Sequence, residues 1–263
     1  MPAFYAHDRF GEKVWKKTDG EIREIILKHY KQFEIGLQGP DIFFFYRPYS
    51  KNKVVKYGNR LHSVSARAFF ERAVKAAERA GRDSAQYAYL LGFICHFILD
   101  SECHPYVAEM IEETGVQHLE IEEEFEKYLL KRDGLHPLAY RLGRLVPTDV
   151  YTAKAIAPFY PGISWQVARS SLRWLRFIKN LLRAPGRVKQ GLINTIMKMR
   201  GRYAYSKGLM HQRVDNPKCA GSNQGLYRRF TQAIEIAVEM IESFDESVRE
   251  GLELNLRFDR TFE

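Results

Sequence analysis

The sequence predicts an all-α protein that forms one multi-helix bundle. Apolar residues recur three and four positions apart along most of the 263 residues, which is the periodicity of amphipathic helices. No run of about four to eight residues alternates between apolar and polar side chains with hairpin turns around it. No internal repeat and no linker rich in proline or serine divides the chain, so residues 1–263 are expected to form a single domain.

The composition is that of an ordinary globular protein, with 45% hydrophobic and 28% charged residues. It excludes a disordered chain, a collagen and a small disulfide-stapled scaffold. Three cysteines are a sparse and odd set, which argues against a disulfide framework and favours a reducing compartment. The first residues lack the basic start and apolar core of a secretory signal, so the cytoplasm is the expected location.

Several of the predicted helices have recognisable start or stop signals. Asp19-Gly20 precedes the second helix, Ser63 precedes the third, and Asp83 precedes the fourth. The fourth contains residues 87–99, an apolar stretch of about 13 residues that is too short to span a bilayer and is expected to be a buried core helix. The predicted helices are 9–17, 20–34, 64–80, 84–101, 104–113, 117–131, 149–158, 164–183, 187–200 and 223–249.

One segment is the best candidate for a strand. Residues 41–46 read DIFFFY and lie between Gly39-Pro40 and Pro48. This candidate stands alone, without a second strand to pair with. The predicted fold class therefore remains all-α.

Charge is unevenly distributed along the chain, whose net charge is +9. Residues 120–126 (EIEEEFE) are acidic, whereas residues 150–214 contain 13 Lys and Arg side chains and no Asp or Glu. Aromatic side chains are interleaved with the basic ones. This basic segment is expected to meet something anionic, which is the protein's own acidic helix, a phosphate-bearing ligand or a membrane surface. Nucleic acid is less favoured, because the segment has no recognisable nucleic-acid-binding motif.

Within the basic segment, residues 165–183 predict a basic amphipathic helix. Arginines occupy much of its polar side. Such a helix either packs its apolar side in a core or lies on a membrane surface, so peripheral membrane contact through residues 150–214 is one expectation. No protein partner is inferred. The apolar side consists of Trp165, Ala168, Leu172, Leu175, Ile178 and Leu182.

A set of histidine and carboxylate side chains carries the chemical signal. His96, Asp100 and His104 are four residues apart, so on a continuous helix all three project from one face. The first two have apolar neighbours, and a carboxylate buried there without a partner costs several kcal/mol. A divalent cation removes this cost, because carboxylates and neutral imidazoles are both good zinc ligands.

Further ligand-type side chains occur in other parts of the chain. His118 and Glu122 repeat the spacing of four on the next predicted helix. His62 precedes the third predicted helix, Asp41 follows a Gly-Pro turn, and His7 lies near the start. These side chains come from four or five separate elements, and together they are enough to hold two or three cations.

These residues resemble the zinc-dependent phospholipase C family, whose all-helical fold is shared with single-strand nucleases and 3′-nucleotidases. The order of H-x3-D, H and H-x3-E is specific, although each piece alone is not. The resemblance rests on specific motifs over roughly residues 1–130, and it continues weakly at residues 210–217 (MHQRVDNP). The matching residues are His7, Gly39-Pro40-Asp41, His62, Leu90 to Pro105 (LLGFICHFILDSECHP) and His118 to Glu122 (HLEIE).

The resemblance implies a cluster of two or three zinc ions. In secreted members of the family an N-terminal tryptophan completes the third site, whereas this chain begins Met1-Pro2. The third site is therefore expected to be weak, differently completed or filled by another metal. If His7 is a ligand, no cleavable leader is expected before it. By resemblance, Asp41, His62, His96 and Asp100 hold the first zinc, His104, His118 and Glu122 the second, and His7 with the bridging Asp100 the third.

The resemblance also implies an enzyme, a metal-dependent phosphodiester hydrolase that is phospholipase C-like and acts on a phospholipid. A metal-held water would attack phosphorus, with Asp41 as its base or orienting group. Acids such as Glu120 and Glu123 are candidates to orient the ligand imidazoles. Two alternatives stay open. One is a nuclease or nucleotidase on the same fold, and the other is a metal-stabilised lipid-binding protein without turnover.

Overall fold

A computed structural model describes residues 3–263, most of which lie in α-helices. This part of the chain contains no strand, and the all-α prediction is confirmed. The α-helices are α1 (Phe4–Trp15), α2 (Gly20–Lys28), α3 (Tyr30–Gly36), α4 (Lys53–His62), α5 (Arg67–Ala80), α6 (Ala85–Thr114), α7 (His118–Arg132), α8 (Val150–Ile156), α9 (Trp165–Leu182), α10 (Arg187–Met199), α11 (Tyr203–Ser206) and α12 (Ala220–Glu250). Short 3₁₀ helices span Gly39–Phe43, Leu142–Leu145, Ala157–Phe159, Lys207–Leu209, Pro217–Cys219 and Leu256–Asp259.

The long helix α6 lies at the centre of the bundle. Ser84 caps its N-terminus by accepting a hydrogen bond from the Tyr87 amide at 3.2 Å, and Gly115 ends it in the left-handed conformation. Every residue from 87 to 101 is buried, so the prediction of a core helix is confirmed. The helices α3 and α12 pack along it.

Two glycines allow α3 and α6 to approach each other closely. A Cβ atom on Gly36 would lie 2.2 Å from the Tyr89 carbonyl oxygen, and one on Gly92 would lie 2.1 Å from the Phe33 carbonyl oxygen. The two backbones therefore touch directly, and no larger residue fits between them. This contact fixes the position of the next turn of α6, which carries His96.

The structure corrects the predicted secondary structure at four points. The predicted helix 20–34 is two helices, because the backbone of His29 leaves the helical region between α2 and α3. The predicted helices 84–101 and 104–113 are one helix, since α6 continues through Pro105. The strand predicted at 41–46 is wrong, because a 3₁₀ helix and turns occupy this segment.

The fourth correction is the helix α4, which was not predicted from the sequence. Its buried residues are Gly58, Leu61 and His62, so it buries few apolar side chains. The signal that marks it is Asn52, whose side chain accepts a hydrogen bond from the Val55 amide at 3.0 Å.

The acidic helix α7 is covered by part of the basic segment. Lys207 Nζ lies 2.6 Å from Glu120, and the Gln212 amide donates to Glu123 at 2.8 Å. The Asn216 amide donates to Glu124 at 2.9 Å. Residues 207–216 therefore satisfy acids that would otherwise be buried without partners.

The helix α9 packs its apolar side into the protein. Ala168, Leu172 and Leu175 are buried. Of the two outcomes open for residues 165–183, the structure therefore shows the core-packed one for these three side chains. Among residues 3–263, no helix combines the length and the apolar character that crossing a bilayer requires.

The C-terminal residues run across the end of α4 and the middle of α6. The Ala66 amide donates to the Arg260 carbonyl at 3.0 Å, and the Phe262 amide donates to the His62 carbonyl at 3.3 Å. Phe258 and Phe262 are buried. The end of the chain thus packs beside two of the predicted ligand histidines.

The contact between α3 and α6 predicts a stability difference between two glycine substitutions. Gly92→Ala places a methyl group against backbone and is expected to lower the free energy of unfolding by about 1–3 kcal/mol. Gly191→Ala, on α10 with no atom near its Cβ position, is expected to raise it by about 0.5–1 kcal/mol. Urea unfolding followed by circular dichroism measures both, and equal stability of the two variants would contradict the close contact.

Candidate metal centre

The structure brings all eight predicted ligand residues together in the interior. Their ring nitrogens and carboxylate oxygens form three groups, and within each group these atoms lie within 4.8 Å of one another. Two of the groups share His96. The groups are His7, His96 and Asp100; Asp41, His62 and His96; and His104, His118 and Glu122.

Asp100 links the groups, because three imidazoles face its carboxylate. Its Oδ1 lies 3.2 Å from Nε2 of His7 and 3.8 Å from Nε2 of His104. Its Oδ2 lies 3.2 Å from Nε2 of His96. Since α6 is continuous, His96, Asp100 and His104 project from one face, as their spacing predicts.

Glu122 is the carboxylate that faces two imidazoles in the group between α6 and α7. Its Oε1 lies 3.3 Å from Nε2 of His104 and 3.0 Å from Nε2 of His118. In the remaining group, Nε2 of His62 lies 2.9 Å from Oδ1 of Asp41. Each group therefore combines at least one carboxylate with at least one imidazole, which is the donor chemistry that zinc prefers.

Backbone carbonyl groups orient three of the imidazoles. Nδ1 of His62 donates to the Gly58 carbonyl at 3.0 Å, and Nδ1 of His96 donates to the Leu37 carbonyl at 3.2 Å. Nδ1 of His104 donates to the Phe262 carbonyl. Because Nδ1 carries the proton, the neutral form of each ring presents the lone pair of Nε2 towards the carboxylates.

The three carboxylates are ionised despite their burial. Burial alone would raise the pKa of Glu122, but His118 and His104 outweigh it and lower the pKa to about 2. The pKa values of Asp41 and Asp100 also lie below their ordinary range, because the neighbouring imidazoles oppose the effect of burial. Ionised carboxylates are the form that binds a metal ion.

The imidazoles differ in their charge. Burial lowers the pKa of His96 to about 3, so this ring is neutral. Burial also acts on His104, but Asp100 and Glu122 outweigh it and raise the pKa to about 9. The pKa of His62 is raised by its contact with Asp41, against the effect of burial. In the metal-free protein, a proton on His104 thus balances part of the carboxylate charge.

Several polar atoms in the centre are buried without hydrogen bonds. Nε2 of His96, Oδ2 of Asp100 and Oε2 of Glu122 have no hydrogen-bond partner among residues 3–263. Unsatisfied buried polar atoms are rare in folded proteins, and a bound ion is one of the explanations for them. These residues therefore fit a cluster of divalent metal ions, for which each of the free atoms is a suitable ligand.

The centre is closed on most sides and opens at His118. The His118 side chain is 39% exposed, whereas the other seven side chains are buried. The Phe262 ring packs on two of the buried ligands, with its centroid 5.2 Å from that of His62 and 5.8 Å from that of His96. The geometry leaves His118 as the point of access from solvent.

The groups that orient the imidazoles were not predicted from the sequence. Glu120 and Glu123 were the candidates for this role, but these acids bind residues 207–216. The carbonyl groups of Gly58, Leu37 and Phe262 orient the rings instead, and a backbone carbonyl leaves no mark in the sequence.

Two further polar residues, the half-buried His211 and the buried Lys179, were not predicted either. His211 donates from Nδ1 to the Pro137 carbonyl, and its Nε2 lies 2.8 Å from Glu126 on α7. Lys179 is buried on α9, and burial lowers its pKa despite the nearby acids. The segment around His211 is the weak match at residues 210–217, which was the one available signal.

An all-helical fold that gathers eight imidazoles and carboxylates, seven of them buried, is suited to hold divalent metal ions. The family model described as zinc dependent phospholipase C matches residues 6–184. The chain belongs to this family, and the resemblance seen in the sequence is confirmed. Family and site together support a metal-dependent hydrolase. Neither the curated proteins nor the solved structures contain a match to the chain.

The close packing of Gly39 against His96 predicts an effect on metal retention. Gly39 has a φ of +46°, and a Cβ atom there would lie 2.6 Å from His96 Nε2. We expect Gly39→Ala to displace this ring and to speed zinc loss to a chelator by about tenfold or more, as loss of ligand support does elsewhere.

Gly20→Ala is the matched control for this prediction. Gly20 has a φ of +56°, with no atom within 4 Å of its Cβ position. It therefore shares the backbone strain but not the contact with His96. Equal zinc loss from both variants would show that backbone strain, and not the position of His96, controls metal retention.

Proposed function

We propose that the protein is a phospholipase C-like enzyme that hydrolyses the phosphodiester bond between the glycerol and the headgroup phosphate of a phospholipid. The observation that carries this proposal is that two adjacent groups of buried ligand atoms share His96, and that Asp100 of one of them lies 3.8 Å from His104 of the third. Ligands that are shared in this way would hold two ions close enough together to act on the same phosphodiester. The family supports the same class of substrate.

The family resemblance assigns the residues that would hold the ions, and all of them belong to the three groups. Asp41, His62, His96 and Asp100 would hold the first ion. His104, His118 and Glu122 would hold the second, and His7 with Asp100 the third. When bound, zinc ions would neutralise phosphate oxygens and bring the pKa of a bound water to about 7.

The charge of the centre favours an anionic substrate. Three carboxylates carry fewer charges than two or three divalent cations, so the loaded centre would be net positive. Because the other ligand side chains are buried, a phosphodiester would enter beside His118. The Lys179 side chain, which is buried nearby, adds to the positive potential when it is protonated.

Asp41 is the residue that would handle the proton of the attacking water. Its pKa is below the ordinary range, so it is ionised at neutral pH and can accept a hydrogen bond or a proton. The water oxygen forms a bond to phosphorus, and the bond from phosphorus to the glycerol oxygen breaks. Asp41 takes the proton from the water and then releases it to solvent, the diacylglycerol oxygen takes up a proton from solvent, and the phosphorylated headgroup leaves as the second product.

A second candidate function is the hydrolysis of single-stranded nucleic acid or of nucleotides. The observation that favours it is the basic segment 150–214, in which aromatic side chains are interleaved with 13 basic residues. Aromatic rings can stack on bases and basic side chains can bind their phosphates. The same metal chemistry would serve either substrate.

Substrate assays with an Asp41 variant test the proposal. The zinc-loaded protein is expected to release phosphocholine from a short-chain phosphatidylcholine, and Asp41→Asn to lower the rate by about 100-fold or more. The control is Asp19→Asn, which makes the same change at an exposed side chain without a capping hydrogen bond.

The remaining outcomes separate the candidate functions. Hydrolysis confined to single-stranded DNA or nucleotides, and lost in Asp41→Asn, would replace the phospholipase proposal with the nuclease one. Bound zinc without hydrolysis of any of these substrates would leave a metal-stabilised binding protein.

A further inference from the structure

The helix α10 carries an exposed apolar face. Val188 is 88% exposed, Leu192 61%, Ile196 45% and Met199 82%. These four residues, called the apolar ridge below, are spaced by four, four and three positions and therefore lie along one side of the helix. Single exposed apolar residues are common in soluble proteins, but a continuous ridge of four on one helix points to a partner.

The opposite side of α10 is attached to the protein largely by polar contacts. Gln190 is the buried residue of this helix, and its side-chain amide donates to the His211 carbonyl at 3.2 Å. The Asn194 amide donates to the Gln212 side chain at 3.1 Å. Ile193 and Met197 are half-buried beside them. The helix thus turns its most apolar side outward, which is the reverse of the usual pattern.

Basic side chains surround the apolar ridge. Arg187, Lys189 and Lys198 lie on α10, and Arg200 and Arg202 follow it directly. Within residues 3–263, no carboxylate forms a salt bridge with any of the five. The partner must therefore combine an anionic surface with an apolar interior, as a bilayer containing anionic lipids does.

Two other partners fit this surface less well. A single-stranded nucleic acid would meet the basic residues, but it stacks on aromatic rings and offers nothing to four aliphatic side chains. A second copy of the chain would place one basic segment against another, which is unfavourable because like charges repel.

The segment after α10 joins this surface to the metal centre. It contains the 3₁₀ helix Lys207–Leu209, in which a Cβ atom on Gly208 would lie 2.4 Å from the Leu119 carbonyl carbon, so this segment is in direct backbone contact with α7. Leu119 follows His118, the exposed ligand residue. Through its contact with α7, this segment therefore connects α10 to the side of the protein on which the metal centre opens.

We propose that α10 inserts its apolar ridge into the headgroup region of an anionic phospholipid bilayer and so holds the metal centre at the lipid surface. The role of this contact in catalysis rests on the proposed function, but the binding of α10 to the bilayer does not itself require hydrolysis. It can therefore be measured separately from activity.

Vesicle sedimentation tests this proposal with the full-length protein. The vesicles contain phosphatidylcholine with or without phosphatidylglycerol, and binding is read before lipid hydrolysis is detectable. The variant Leu192→Glu/Ile196→Glu changes two exposed residues of the ridge. The control Leu27→Glu/Leu252→Glu adds the same charge at two exposed leucines outside the basic segment.

The wild type and the control are expected to bind the anionic vesicles and to release them at high salt, because screening weakens the contact with the basic side chains. The ridge variant is expected to bind the anionic vesicles at least about tenfold more weakly, since glutamate is both polar and repelled by the anionic surface. All three proteins should hydrolyse a short-chain phosphatidylcholine below its micelle concentration at equal rates.

Three results would overturn the proposal. The first is equal binding of the ridge variant and the wild type to the anionic vesicles. The second is an absence of vesicle binding together with single-stranded DNA binding that the ridge variant loses. The third is a dimer in solution that the ridge variant dissolves, again without vesicle binding. A further result is that the protein hydrolyses neither phosphatidylcholine nor single-stranded DNA while the ridge variant loses vesicle binding. This result would keep the docking surface and reject the proposed function.

Discussion

The carboxylate of Asp100 is the group around which the rest of the site is arranged. It is buried in the central helix, and its oxygen atoms face imidazoles from α1 and from the turns of α6 before and after it. A buried carboxylate is costly unless positive charge compensates it. A proton on a nearby imidazole gives partial compensation in the metal-free protein, and divalent cations would complete it. The same residue thus links the stability of the core to the chemistry of the centre.

The packing of the helices sets the positions of the ligands. Gly36 and Gly92 let α3 and α6 touch, which brings the carbonyl of Leu37 to His96. The end of the chain supplies the carbonyl that orients His104. Ligands from helices far apart in sequence are therefore held by backbone contacts that belong to the fold itself, and small changes in packing are expected to be felt as changes in metal affinity.

The features that repeat at helical spacing could be predicted from the sequence. The all-α class follows from the apolar periodicity, and the common face of His96, Asp100 and His104 follows from their spacing of four. The helix α4 escaped detection because it buries little apolar surface. The orienting carbonyls and the outward-facing ridge of α10 depend on which surfaces meet in three dimensions, and no local pattern encodes that. The amphipathic pattern of residues 165–183 was found, but whether it faced the core or a membrane required the structure.

Metal analysis of the purified protein tests the account most directly. The protein is purified without added metal, dialysed against metal-free buffer and analysed by inductively coupled plasma mass spectrometry, next to an Asp100→Asn variant that remains folded by circular dichroism. The account predicts about two or more zinc ions per chain in the wild type and clearly fewer in the variant, because the shared carboxylate is lost. A wild-type protein that neither retains zinc nor binds it tightly on titration would contradict the account.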